Sequence, residues 1–219
     1  MIRVMLVDDQ KDVRDGLSLM LSHDPSVRVV ACCANGAEAL EALRALDAAA
    51  GALPNVALMD VRMPIMDGID ATRRIHRVWP NVGVLILTTY DQDDYALGAL
   101  AVGASGFLLK DAPARAIVDA VHAVCAGDAV LTPRVTKEVI TRAIPEAAGS
   151  RGADMFSRLP PRELEVASLV AEGLSNAEIA ARMSIEPTSV KRSVSRIISK
   201  LGLGSRVQVA VAWWRSGRR

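Results

Sequence analysis

Residues 56–69 read VALMDVRMPIMDGI. Four apolar residues, Val56 to Met59, run directly into Asp60. Pro64, Asp67 and Gly68 then supply turn chemistry. A short apolar run bounded by turn residues reads as a buried strand. A carboxylate at its end is costly unless it is paired or binds a cation. The placement of Asp60 therefore asks for a chemical reason.

Working outward, the first ~125 residues alternate strand and helix periodicity, as in a parallel α/β sheet. IRVMLV (2–7), VRVVACC (27–33), VALM (56–59), VGVLIL (82–87) and SGFLL (105–109) read as five strands. Between them lie helical stripes: Val13, Leu17, Met20 and Leu21; Leu40, Leu43 and Leu46; residues 69–78; and a helix over about 93–103. Ile117, Val118, Val121, Val124 and Cys125 form a fifth. The expected fold is a doubly wound five-stranded parallel sheet. Such sheets bind ligands beyond the carboxyl ends of their strands, at a topological switch point. Asp8 and Asp9 follow the first strand, Asp60 ends the third, Thr88 follows the fourth and Lys110 the fifth. Three carboxylates, a hydroxyl and an ammonium thus meet at one sheet edge.

The chain has 219 residues, comfortable for two domains, and 51% are hydrophobic, enough for a sizeable core. No apolar run is long enough to span a bilayer. The N-terminus lacks signal-peptide features, so a cytoplasmic protein is expected. Cys32, Cys33 and Cys125 have neither metal-ligand nor disulfide spacing. Residues 1–150 carry 14 Lys+Arg and 19 Asp+Glu, a net of −5; residues 151–219 carry 12 and 6, a net of +6. An acidic front and a basic tail suggest two domains with different partners. The basic end suits nucleic acid or an anionic membrane, and charge excess alone does not choose.

Thr132-Pro133 opens a short helix with Val135, Val139 and Ile140. PEAAGSRGAD (145–154) reads as a linker. Residues 158–216 look like short helices only. Pro161 to Gly173 frames one. Ser175 and Glu178 form a capping box for a second. Pro187 opens a third, with Val190, Val194, Ile197 and Leu201 on one face. Ser205 and Gln208 read as another capping box. On the third helix Lys191, Arg192, Ser195, Arg196, Ser199 and Lys200 lie outward, and an exposed basic helix suits the major groove.

Clustered carboxylates attract Mg²⁺, and a carboxylate can act as a nucleophile toward phosphorus. Mg²⁺ and a lysine would neutralise the phosphoryl oxygens. Taken singly, Asp8 reads as a helix cap, Thr88 as a strand end, Lys110 as a surface charge and Phe107 as core. VDDQ (7–10), MDVRMPIMDGI (59–69), LTTYD (87–91) and GFLLKD (106–111) together resemble the receiver domain of bacterial response regulators, which is flavodoxin-like. The resemblance implies Asp60 as phosphoacceptor, served by a sensor histidine kinase. It implies Mg²⁺ on Asp8, Asp9, Asp60 and the backbone carbonyl of Arg62. Thr88 and Lys110 would bind the phosphoryl group, and Phe107 would be the switch aromatic. The resemblance also places Arg62 and Tyr90 where that family borders the path of hydrolytic water, and their bulk suggests slow phosphate loss.

LPPRELEVASLVAEGLSNAEIAARMSIEPTSVKRSVSRIISKLGLGSRVQVAVAW (159–213) resembles a LuxR-type helix-turn-helix. Joined to a receiver it makes a response regulator of the NarL/FixJ type. The implied division is receiver 1–126, linker with a short helix 127–155, and helix-turn-helix domain 156–219. Lys191, Arg192 and Ser195 would face base edges of double-stranded promoter DNA; Arg196 and Lys200 would meet phosphates. Val207, Val211 and Trp214 would serve as a dimer helix in a homodimer formed on activation, with RNA polymerase as a further partner. Pro160 and Glu186 depart from the usual capping residues of that family, and Arg192-Ser193 from its usual Thr-His, so the operator sequence does not follow. Two other readings stay open. One is a regulator gated by a ligand or partner, its acidic site unused. The other is a Mg²⁺-dependent phosphatase, which would lack a general acid at Arg62 and leave the basic tail unexplained.

Overall fold

A computed structural model gives the structure of residues 1–49, 53–88, 98–131 and 155–218. The short helix around Val135–Ile140, the linker at 145–154, Tyr90 and residues 93–97 of the helix expected at 93–103 lie outside these described residues. A helical segment is present at 98–101.

The N-terminal unit runs β1 (Ile2–Val7), α1 (Lys11–Ser22), β2 (Val27–Cys33), α2 (Gly36–Ala48), β3 (Val56–Asp60), α3 (Gly68–Val78) and β4 (Gly83–Thr88). The segment 98–101 (α4), β5 (Gly106–Leu109) and α5 (Ala114–Ala126) follow. The sheet is parallel, with order β2-β1-β3-β4-β5. All five residues of β3 are buried, as expected of a central strand covered on both faces. Alternate residues separate into two cores. Met5, Val7, Met59, Ile86 and Phe107 pack with Leu40, Leu43 and Ile75 on the α2–α3 side. Val4, Leu6, Leu58, Leu85 and Leu87 pack with Leu17, Leu21, Ile117 and Val121 on the α1–α5 side. Cys32 is exposed and Cys33 buried, the opposite faces that adjacent strand positions require. Beyond α5 the chain stays on the sheet edge, where Val130 bridges Gly106.

The C-terminal unit holds a short 3₁₀ turn at Met155–Arg158, then α6 (Pro161–Ala171), α7 (Asn176–Met183), α8 (Pro187–Leu201) and α9 (Arg206–Arg215). Its core joins Phe156, Val166, Val170, Ile179, Val190, Val194, Ile197, Val209 and Trp213. Phe156 meets Trp213 edge to face at 5.1 Å. The capping box at Ser175 and Glu178 is present, with both of its hydrogen bonds formed. The one expected at Ser205 and Gln208 is only half formed. Ser205 accepts from the Gln208 N–H, but the Gln208 side chain reaches elsewhere: its carbonyl takes the Gly204 N–H, and its amide donates to Leu100 and Ala101 of α4. Neither Pro160 nor Glu186 gives its helix a side-chain cap.

Candidate functional site

The strand order reverses between β1 and β3, and their carboxyl ends place Asp8 and Asp60 side by side. Ligand oxygens of Asp8, Asp9 and Asp60 lie within 4.8 Å of one another. Asp8 and Asp60 are buried, at 2% and 6% exposure; Asp9 is exposed. Asp8 does not cap α1. Gln10 is the N-cap residue, and Asp8 accepts the Gln10 N–H at 3.0 Å in the turn leading to the helix. Lys110 follows β5 and bridges both buried carboxylates, with Nζ 2.5 Å from Asp8 Oδ2 and 3.2 Å from Asp60 Oδ2. Its own N–H donates to the Thr88 carbonyl at 2.8 Å, which ties β5 to the buried Thr88 at the end of β4.

Two of the three carboxylates share the Lys110 ammonium. Burial pushes the Asp60 carboxyl above the usual carboxylate range; Lys110 opposes that shift and Asp8 adds to it. An all-oxygen, net-negative site with oxygens at this spacing fits a small hard cation with water filling the rest of its shell. Asp8, Asp9 and Asp60 are the side chains fit to hold it. A cavity of about 430 Å³ opens beside them, lined by Asp9, Arg62, Met63, Pro64 and Asp67 among others. Arg62 is exposed on its wall. Phe107 is 1% exposed in the α2–α3 side core.

Two residues that hold the site were not singled out for this role from sequence. Gly68 opens α3 directly against β3: a Cβ there would lie 1.9 Å from the Asp60 carbonyl oxygen. Only glycine permits that approach. Its position immediately after Asp67, the side-chain N-cap of α3, is the signal available in sequence. Arg14, on α1, donates to the Asp8 backbone carbonyl. A basic residue one turn into the helix after Asp8-Asp9 is a weak signal on its own.

The basic end is less free than its sequence suggests. Lys191 donates to the Cys125 carbonyl at the end of α5. Lys200 and Arg196 pair with the buried Glu163, at 2.7 and 3.6 Å. Ser195 donates to the Lys191 carbonyl one turn back. Arg192 is exposed. Arg206 is buried and ion-pairs with Asp128 at 3.0 Å; it also donates to Asn176 Oδ1 and to the Leu174 carbonyl. Asn176 in turn donates to Asp128 and to the Ala126 carbonyl. Val207 joins the core that contains Phe107, Leu100 and Ala104, and Val211 packs against it. Trp214 is 47% exposed, while Val209 and Trp213 fill the core of the C-terminal unit. The stripe of α9 is thus divided, with Val207 and Val211 spent on the N-terminal unit. None of Asp128, Asn176 and Arg206 was marked from sequence. Arg206 stands in the first turn of a helix, where the dipole disfavours a cation, and that was the available signal.

Comparison with known proteins fits both halves. Residues 4–122 match the response regulator receiver domain, and residues 157–213 match the bacterial regulatory proteins of the luxR family. The chain is 38% identical over 223 residues to the transcriptional regulatory protein LnrK of Bacillus subtilis (strain 168), covering 99% of this chain and 98% of that protein. It is 36% identical over 211 residues to the DNA-binding transcriptional activator DevR/DosR of Mycobacterium tuberculosis (strain ATCC 25618 / H37Rv), covering 96% and 93%. Among solved structures, the response regulator ChrA of a heme-sensing two-component system aligns with a TM-score of 0.52 at 34% identity, covering 99% of this chain and 98% of that one. An acidic site on one unit and a basic helix on the other therefore belong to one signalling chain: this protein is a member of the two-component response regulators that join a receiver to a LuxR-type helix-turn-helix, and it binds DNA to regulate transcription.

Proposed function

We propose that Asp60 is the phosphoacceptor, that a sensor histidine kinase is the donor, and that phosphorylation undocks the C-terminal unit so that it pairs and binds promoter DNA. The observation that carries this reading is the Asp8–Asp9–Asp60 cluster bridged by Lys110 at the mouth of a cavity. In the transfer, an Asp60 carboxylate oxygen forms a bond to phosphorus. The bond from phosphorus to the kinase imidazole nitrogen breaks, and the imidazole leaves with the electron pair. Lys110 exchanges its contact with Asp60 for one with the new phosphoryl oxygens, and the Thr88 hydroxyl donates to another. Mg²⁺ held by Asp8, Asp9, Asp60 and the Arg62 carbonyl supplies charge neutralisation when bound. Arg62 borders the approach of water and slows phosphate loss; the companion assignment to Tyr90 is proposed on sequence alone.

The docked state supports the second half of the reading. Lys191 cannot both hold the Cys125 carbonyl and reach a base edge. Gln208 is anchored on the α4 carbonyls, and Val207 lies in the same core as Phe107. A rearrangement at Thr88 and Phe107 thus acts on the contacts that hold α9. Freed, α9 offers Val207, Val211 and Trp214 to a second copy. Lys191, Arg192 and Ser195 then meet base edges, and Arg196 and Lys200 meet phosphates. The division is receiver 1–126, connector 127–155 and DNA-binding domain 156–219, acting in the cytoplasm and presenting promoter DNA to RNA polymerase. Among the described residues no helix is long and apolar enough to cross a membrane.

The test is solution mass with Mg²⁺ and beryllofluoride, a phosphoryl mimic, on wild type and Asp60→Ala. A dimer in wild type alone is expected. Equal behaviour of the two proteins, with the mimic bound to neither, would favour a regulator gated by a ligand or partner.

A further inference from the structure

A groove of about 1040 Å³ separates α2 from α3, away from both the acidic site and the basic helix. Arg44 lines it from α2; Arg73, Arg74 and Arg77 line it from α3, and all four are exposed. Arg73 pairs with Asp70. Among the described residues Arg44, Arg74 and Arg77 form no ion pair. The last turn of a helix favours a cation, which accounts for Arg77. It does not account for Arg73, Arg74 or Arg44. Arg73 and Arg77 stand at i and i+4, where like charges oppose helix formation. Four arginines thus concentrate on one face within a segment, residues 1–150, whose net charge is −5. The C-terminal unit reaches α3 by another flank, where the His76 ring lies against Gly103 and Gly103 against Gly204.

We infer that the α2–α3 groove is a docking surface for a net-acidic polypeptide segment of a partner protein. Charge complementarity selects the sign of the occupant. The two carboxylates in the groove select its class. Asp47, held by the Trp79 indole N–H at 2.9 Å, and Asp70 both line the groove. A DNA duplex presents phosphate everywhere and would meet those carboxylates unfavourably. A peptide carries donors as well as acids and can match both signs. The guanidinium groups are spread over two helices along an open groove, which suits an extended or helical segment better than a single small anion. Val78, 58% exposed at the end of α3, adds an apolar contact.

The test uses the full chain and a fluorescein-labelled peptide of Glu-Glu-Ala-Leu repeats, followed by anisotropy. A scrambled-sequence DNA duplex is titrated in parallel. Three proteins are compared: wild type, Arg74→Glu/Arg77→Glu, and Arg192→Glu/Arg196→Glu. The first pair alters only the groove and the second only the DNA-binding helix. Peptide binding that saturates, weakens with salt, falls at least about tenfold in the groove variant and stays within about twofold in the helix variant is the expected result. Four results overturn the inference: no saturable binding, equal binding by the groove variant, loss confined to the helix variant, or equal loss of peptide and duplex in the groove variant. The last would make the groove a nucleic-acid surface. Arg44→Gln/Arg74→Gln repeats the comparison without charge reversal, should the reversed protein melt early.

Discussion

The two charged regions of this protein handle charge in opposite ways. At the edge of the sheet three carboxylates lie within 4.8 Å of one another, and one lysine bridges the two that are buried. On the C-terminal unit, Lys200 and Arg196 share Glu163, Arg182 pairs with Glu172, Arg206 pairs with Asp128, and Lys191 caps a carbonyl. The acidic region holds more carboxylates than Lys110 bridges, which in the proposed function suits it to a cation and a phosphoryl group. Much of the basic region is paired, although Arg192 stays exposed; in the proposed function that pairing keeps the helix off DNA until phosphorylation releases it. In the proposed function one region is poised and the other is masked, and the two are coupled through α4 and Phe107.

That contrast can be broken at several points. The largest effect is expected from Gly68→Ala. The new methyl would overlap the Asp60 carbonyl, so β3 and α3 must separate. Overpacking of this kind costs about 3 kcal/mol, read from denaturant melts, and beryllofluoride should no longer change the solution mass. A variant as stable as wild type would show that the loop yields more easily than the geometry implies. Next is Asp128→Ala, which removes an acceptor shared by Arg206 and Asn176. Arg206 keeps its bonds to Asn176 and Leu174, so folding should survive while docking weakens. DNA affinity of the unphosphorylated protein should rise by about tenfold, the equivalent of about 1.4 kcal/mol, measured at fixed salt. Unchanged affinity would mean that the docked state does not mask the basic helix.

Smaller effects sharpen the comparison. Ser175→Ala removes one side of the capping box and should cost about 1 kcal/mol, with DNA affinity altered little. The smallest effect, opposite in sign, is expected from Asp60→Asn in metal-free buffer. Because the folded-state pKa of Asp60 is raised, its ionised form opposes folding above that pKa, and the penalty vanishes below the unfolded value of 3.8. Asn should therefore raise the thermal midpoint at neutral pH, and Mg²⁺ should narrow the difference. A lower midpoint would mean that the Lys110 contact outweighs burial.

Much of this architecture is legible in sequence, for a physical reason. A parallel sheet buries both faces of its central strands, so β3 and β4 appear as continuous apolar runs, and the residue after each run falls at the functional edge. Asp60 and Thr88 are found that way; Lys110 follows the shorter apolar run of β5, the edge strand beside β4. Helix faces are a different matter. Periodicity shows that α9 is apolar along Val207 and Val211 but not which neighbour covers that stripe; the neighbour proves to be the N-terminal unit. The Asp128–Arg206 pair spans 78 residues, and no local pattern encodes such a partnership. Gln208 stands at a spacing from Ser205 that permits a cap. Its amide instead satisfies two carbonyls of α4, which local spacing does not reveal.

The coupling between the poised and the masked region is the central claim. Its most direct test is amide hydrogen exchange over residues 203–215, with and without Mg²⁺ and beryllofluoride, in wild type and Asp60→Ala. The account predicts faster exchange across α9 when the mimic binds wild type, and no change in the variant. A mimic that binds at Asp60, confirmed by calorimetry, and leaves exchange across α9 unchanged would contradict it.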